Sequence, residues 1–317
     1  MRRVVPRSYE SVNYALRPAK NIERRMLCEA FRRLVEFDSL ESYRYVGFGS
    51  TYFSDFLLFH KSLKITNNVS IEHDVEHKNR FEFNRPYRCI TLEFGDSNDI
   101  LPSLPWNVRT ITWLDYDYKL EQGILTDVGF VCASSPSGSI ILVTVDARPD
   151  AYKKRVSSLK SRIEETRIPN GLHDADMAKW GTAEVYRTII TNEIDTTIKE
   201  RNGGLERGSR FLYKQLFNFH YADGAKMLTL GGILYNEREA KLEAKCGFEN
   251  FDFVKTGKEP YLIDVPNLTL KEMRHLDRQL PCTDTKQLSA SSISENDIVR
   301  YAKIYRYFPA FVEAEIG

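Results

Sequence analysis

The stretch YRYVGFGSTYFSDFLLFHKSL, residues 43–63, holds the two periodicities on which the fold reading turns. A short strand-like run from Tyr43 to Phe48 breaks at Gly47-Phe48-Gly49-Ser50, after which Phe53, Phe56, Leu57 and Leu63 recur at helical spacing. A strand that turns through glycine into a helix is the opening unit of an open α/β sheet, and the free amides at such a helix start favour a carboxylate or phosphate. The 17 glycines among 317 residues produce about one G-x-G by chance, so the motif has weight only through this context.

Outward from that turn the rhythm repeats. Val69–Glu72, CITLEF ending at Gly95-Asp96, RTITWL ending at Asp115-Tyr116-Asp117 and SIILVTV ending at Asp146 are predicted strands, each stopped by an acid or glycine. The near-continuous Ile, Leu, Val and Thr of the fifth run predict a strand covered on both faces, hence a mostly parallel sheet flanked by helices. After Pro149 the pattern is helical through AEVYRTIITNEIDTTIKER to Asn202-Gly203-Gly204, and KMLTLGGILYN and FENFDFV predict two further strands. Upstream, residues 21–36 predict a helix capped by Asn21, with Ile22, Met26, Leu27, Ala30, Phe31 and Leu34 on its apolar face. Downstream, Thr269-x-x-Glu272 and Ser294-x-x-Asp297 are capping boxes that each open a helix. The expected organisation is α/β: a helical N-terminal extension over 1–40, a sheet domain of about seven strands over 41–265 with a helical insertion at 151–223 covering the acceptor, and a helical C-terminal extension over 266–317.

Composition excludes several classes. With 42% hydrophobic and 28% charged residues the chain is globular, neither disordered nor fibrous. No apolar run approaches a membrane span and the N-terminus lacks a signal-peptide core, so no membrane partner and a cytoplasmic location are expected. Five dispersed cysteines without a CxxC pair fit a reducing compartment. Forty-five basic against 44 acidic residues give no global preference for nucleic acid, but residues 1–33 hold nine basic and three acidic ones. That excess is expected either to meet a nucleic acid or nucleotide-bearing partner or to turn Arg24, Arg25, Arg32 and Arg33 to solvent. His73 and His77, with Asp74 and Glu76 between them, would form a metal face if they stood one helical turn apart. No GxSxG elbow or GxxxxGK[ST] loop occurs, which sets aside serine hydrolases and P-loop NTPases.

Ligands of open α/β sheets lie at the carboxyl ends of the strands, where Glu72, Asp96 and Asp115 recur in step with the glycine turn. In these residues the sequence resembles the class I S-adenosylmethionine-dependent methyltransferases, over roughly residues 43–150, with later strands at Met227–Tyr235 and Phe251–Val254. The resemblance implies a Rossmann-like fold, S-adenosylmethionine as cofactor and S-adenosylhomocysteine as product. It implies that Gly47, Gly49 and Ser50 of VGFGS contact the methionine part, Glu72 the ribose and Asp96 the adenine, with Asp115 of LDYD beside the reaction centre. Tyr45 stands where the family usually has an acid, and Thr51 where it often has a third glycine. LDYDYK and VTVDARPD further resemble the metal-dependent O-methyltransferases of the catechol type. That likeness implies acid–base duty for Asp115 and Lys119, with Tyr116 orienting the acceptor, and offers Asp115 and Asp146 as ligands of a divalent ion. Ala147, where those enzymes carry an amide, favours the metal-free version. The alternative is a methyltransferase-like protein without catalysis that binds a nucleotide, nucleic acid or partner protein as a complex subunit.

Overall fold

The structure is a computed structural model that describes residues 17–309. The basic residues Arg2, Arg3 and Arg7 therefore lie outside the described residues, as do the ends of both expected extensions. Eight strands share one sheet: β1 (Arg44–Gly47), β2 (Asn67–Glu72), β3 (Ile90–Phe94), β4 (Thr110–Asp115), β5 (Ser139–Asp146), β6 (Phe211–Ala222), β7 (Lys226–Asn236) and β8 (Tyr261–Ile263). Their order is β3-β2-β1-β4-β5-β7-β6-β8. Only β7 runs antiparallel to its neighbours, so the sheet is mostly parallel and Rossmann-like. Strand order reverses between β1 and β4, where ligands of such sheets bind.

Alternate side chains along the central strands go to opposite faces, and each face has its own helical layer. Tyr45 and Trp113 pack with α1 (Pro18–Phe31) and α2 (Ser54–Leu63), where Phe31 meets Phe59 edge-on at 5.4 Å. Val46 and Leu114 pack with α5 (Gln122–Ser134) and α7 (Gly181–Arg201) on the other face. The short helices α3 (Lys78–Asn84), α4 (Ser97–Ser103), α6 (Arg155–Lys160) and α8 (Ala240–Cys246) fill the connections. Ile22, Met26, Leu27 and Phe31 of α1 are wholly buried, and burial of each is worth about 1.5–3 kcal/mol. Helix α1 is thus part of the core and positions whatever polar groups it carries.

Both capping-box signals open helices as expected, the first as a reciprocal box and the second through its N-cap side chain. Thr269 and Glu272 cap each other at α9 (Leu270–Asp277), and Ser294 accepts from the Asp297 amide at α10 (Glu295–Ile304), whose Ile298 and Tyr301 are buried.

Three expectations need correction. Helix α1 begins at Pro18, not behind Asn21, because the Asp223 carboxylate in the β6–β7 turn accepts from the Ala19 and Lys20 amides at 3.2 and 2.9 Å. FENFDFV is a turn, not a strand: Phe251 and Phe253 stack at 5.0 Å, and Phe253 is wholly buried in the core. The hairpin partner of β7 is β6, inside the segment 151–223 whose pattern predicts helix. Its alternation is obscured by a register shift between Gln215 and Phe217, and by polar residues that hydrogen-bond a neighbouring loop: Gln215 donates to the Lys255 and Gly257 carbonyls, and Asn218 to that of Lys258.

Candidate active site

The β1–α2 turn is built by packing as much as by backbone freedom. A Cβ on Gly47 would lie 2.6 Å from the Tyr45 hydroxyl, and one on Gly49 would lie 2.5 Å from the Phe53 ring and 2.6 Å from Ser70 Oγ. Ser50 and Phe53 both take left-handed backbone angles, which lets the chain close tightly before α2. Gly47→Ala is therefore expected to cost about 1–3 kcal/mol, read from the denaturant midpoint. Tyr45→Phe in the same chain should recover part of that loss, since the hydroxyl is the nearest obstruction. An unchanged midpoint in Gly47→Ala would refute this packing role.

At the carboxyl ends of β1 to β4 lies a cavity of about 950 Å³. Gly49, Ser50, Glu72, Asp96, Asp115 and Tyr116, all named by the sequence, line it; Gly47 lies behind its wall. Glu72 accepts from the Gly49 amide at 3.0 Å and from Ser70 Oγ at 2.6 Å, tying the glycine turn to the end of β2. Burial raises its carboxyl from 4.5 to about 7, against these hydrogen bonds. Asp96 caps α4 by accepting from the Asn98 amide.

Asp115 behaves in the opposite way. Burial would raise its carboxyl, but Lys20 Nζ at 2.7 Å, with Arg24 and Arg17, outweighs burial and holds it below its ordinary value. The same ammonium, wholly buried, reaches Glu23 at 2.8 Å and Tyr221 Oη at 3.2 Å and lies 4.2 Å over the Trp113 ring. Tyr116 gives its hydroxyl to Asp127, and its ring packs edge-on between Phe48 and Tyr118 as an aromatic wall.

Other predicted residues do not come together. Lys119 is absent from the cavity lining, because the Arg148 carbonyl and the Asp150 carboxylate capture its ammonium at 2.7 and 2.9 Å. Asp146 is clasped by the Arg148 guanidinium and is likewise not in the lining. With Asp115 held by Lys20 and Asp146 by Arg148, the two carboxylates do not fit a shared divalent ion. His73 and His77 are not one α-helical turn apart, since residues 75–77 form a single tight 3-10 turn; Asp74, Glu76 and His77 approach one another instead. No residue of 151–223 lines the cavity, and α7 packs on α5.

The residues that the sequence reading missed come from α1 and α2. Arg17 and Arg24 line the cavity and Lys20 touches Asp115, so half of the six described basic residues before position 34 turn inward, while Arg25, Arg32 and Arg33 are exposed. Their spacing of three and four is the signal, since it sets Lys20 and Arg24 on one face of α1 with Arg17 at its N-cap. Asp55, buried at the start of α2, accepts from the Tyr45 hydroxyl; burial raises its carboxyl despite Arg24 and that bond.

A comparison with curated proteins finds no match. Among solved structures, the chain is similar to Trm1 from Pyrococcus horikoshii in complex with S-adenosyl-L-methionine, with a TM-score of 0.45 and 11% identity over 75% of this chain. It covers 60% of that protein, less than two thirds of its length. It is also similar to the O-methyltransferase TomG from Streptomyces achromogenes (TM-score 0.34, 12% identity, 65% of this chain and 78% of that one). Human N-acetylserotonin methyltransferase gives a TM-score of 0.34 and 11% identity, over 67% of this chain and 55% of that one. The model of the family described as "Putative O-methyltransferase" matches residues 12–316, nearly the whole sequence, and this chain belongs to that family.

Proposed function

We propose that the chain transfers the methyl group of S-adenosylmethionine to an oxygen acceptor, in a reducing cytoplasmic setting that its five free cysteines fit. The observation that carries this reading is the cavity at the strand-order reversal, with the glycine turn on one side and Glu72 at the end of β2 on the other. Its volume lies in the range of small-molecule and cofactor sites. The lining fits the cofactor: Glu72 can accept from ribose hydroxyls, Asp96 from the adenine amine, and the close-packed backbone at Gly49 and Ser50 admits the methionine part.

The bound cofactor supplies an activated methyl sulfonium. What remains for the chain is to hold the acceptor oxygen in line with that methyl and to keep water out. Asp115, kept ionised by Lys20, is an anion at the carboxyl end of β4; it can accept a hydrogen bond from an acceptor hydroxyl and attract the positive sulfonium. Its lowered pKa makes it a weak proton acceptor, so its contribution is orientation and charge. Phe48, Tyr116 and Tyr118 offer an aromatic wall for the acceptor. With Arg17, Lys20 and Arg24 turned inward, the described part of the basic N-terminal stretch, residues 17–33, offers less surface to a nucleic acid than its composition implies.

Calorimetric titration with S-adenosylmethionine and S-adenosylhomocysteine tests the reading, followed by label transfer from methyl-labelled cofactor to hydroxyl-bearing small molecules. Saturable one-to-one binding of both, with transfer, is expected. Failure to bind either would leave the non-catalytic subunit as the better account.

A further inference from the structure

Helix α1 buries a cation two of whose hydrogen-bond donors have no acceptor among the described residues. Arg24 is 5% exposed and lines the cavity, yet its Nε and Nη1 have no hydrogen-bond acceptor among the described residues. A guanidinium is costly to bury in that state, because each donor removed from water without replacement costs free energy. The surroundings of Arg24 hold the opposite charge in a fixed place. Asp55 is 6% exposed, lines the same cavity, interacts electrostatically with Arg24 and is positioned by the Tyr45 hydroxyl. Ser50 Oγ, also buried and lining the cavity, lacks a partner among the described residues.

Unsatisfied guanidinium donors and a buried carboxylate in one cavity suit a ligand end that carries both an anion and a cation. An α-amino acid group is such an end: its carboxylate matches the planar donors of arginine, and its ammonium matches a carboxylate. Tyr45 explains the arrangement. From β1 its hydroxyl reaches across to Asp55 and holds that carboxyl at the start of α2, where it lines the cavity. Gly47 permits this, since any Cβ there would meet the Tyr45 hydroxyl.

We propose that Arg24 binds the α-carboxylate and Asp55 the α-ammonium of the cofactor's methionine end, with Tyr45 as the positioning residue for Asp55. The proposal rests on the cofactor reading above and deepens it. It makes the N-terminal helix a wall of the cofactor site, so that this site is complete only when α1 is docked on the sheet.

The experiment compares two probes that share the nucleoside and thioether but differ at this end. S-adenosylhomocysteine carries the α-amino acid group, and 5′-methylthioadenosine lacks it. Both are titrated calorimetrically against the full chain and against Arg24→Met, Asp55→Asn and Tyr45→Phe, with thermal melting as the check on folding. Arg24→Met and Asp55→Asn should each weaken S-adenosylhomocysteine by about ten- to a hundredfold and change methylthioadenosine by less than about threefold. Arg24→Lys should restore part of the loss, and Tyr45→Phe should weaken S-adenosylhomocysteine alone by a smaller factor. Equal loss for both probes, or no loss for either, would overturn the assignment while leaving the cofactor reading standing. A wild-type chain that binds neither probe would overturn both. Should Asp55→Asn fail to melt as a folded protein, Arg24→Met and its lysine rescue decide the matter.

Discussion

Lys20→Met is expected to lower stability by about 3–5 kcal/mol at pH 7, the largest single effect foreseen for this chain. Lys20 is wholly buried, and its ammonium lies within 2.8 Å of both Glu23 and Asp115. Methionine matches the stem in length but removes the charge, stranding the wholly buried Glu23 carboxylate and taking from the half-buried Asp115 its nearest cation. Burial already raises the Glu23 carboxyl, with Asp115 adding to the shift and Lys20 opposing it. Without Lys20 it should rise further and Glu23 should become neutral. The remaining loss then falls on Asp115, whose ionised form depends on Lys20 after burial is overcome. Urea denaturation measures the difference, and the double variant Lys20→Met/Glu23→Gln should recover at least about 1 kcal/mol by removing one stranded acid. A neutral single variant would show that the cluster does not hold α1 to the sheet. Since α1 also brings Arg17 and Arg24 to the cavity, the same variant should bind cofactor poorly.

Glu72→Gln should separate stability from binding. The Glu72 carboxyl is raised from 4.5 to about 7 by burial, against its bonds to Ser70 and Gly49. For a raised acid, the favourable protonated form is fully present below pH 4.5 and its contribution is lost as pH rises through about 7. Between pH 5 and pH 8 the ligand-free wild type should therefore lose up to about 3 kcal/mol that glutamine, which does not ionise, retains. The variant should equal wild type near pH 5 and exceed it at pH 8, while its affinity for S-adenosylhomocysteine drops about ten- to a hundredfold through the lost charge-assisted bonds. Denaturant midpoints across this range check the first half and calorimetry the second. Parallel pH profiles would mean that Glu72 is ionised at little cost, and unchanged affinity would remove it from the ribose site.

The sheet was legible in the chain because its signals are local. Strands β1 to β5 announce themselves as β-branched runs ended by acids or glycine, and α7, α9 and α10 by periodicity and caps, all of which depend on neighbours within a few residues. The strand-end acids followed from the same register, so Glu72, Asp96 and Asp115 meet in one cavity. Where a residue's fate depended on a distant partner, local reasoning had nothing to act on. Lys119 follows Asp115 closely in sequence, yet Asp150 draws it away. The start of α1 was misplaced because its cap, Asp223, lies some two hundred residues downstream in a hairpin turn.

By itself, then, the amino-acid sequence determined an open, mostly parallel α/β sheet and the three acids along its carboxyl edge, since strand pattern and strand ends are properties of short segments. Tertiary packing decided which cations serve those acids. Burial of Met26, Leu27 and Phe31 docks α1 on the sheet and carries Lys20 to Asp115 and Arg24 into the cavity, where the Tyr45 hydroxyl holds Asp55. Charges separated by tens of residues interact only once the apolar face between them has been removed from water, and that is a property of the folded chain alone.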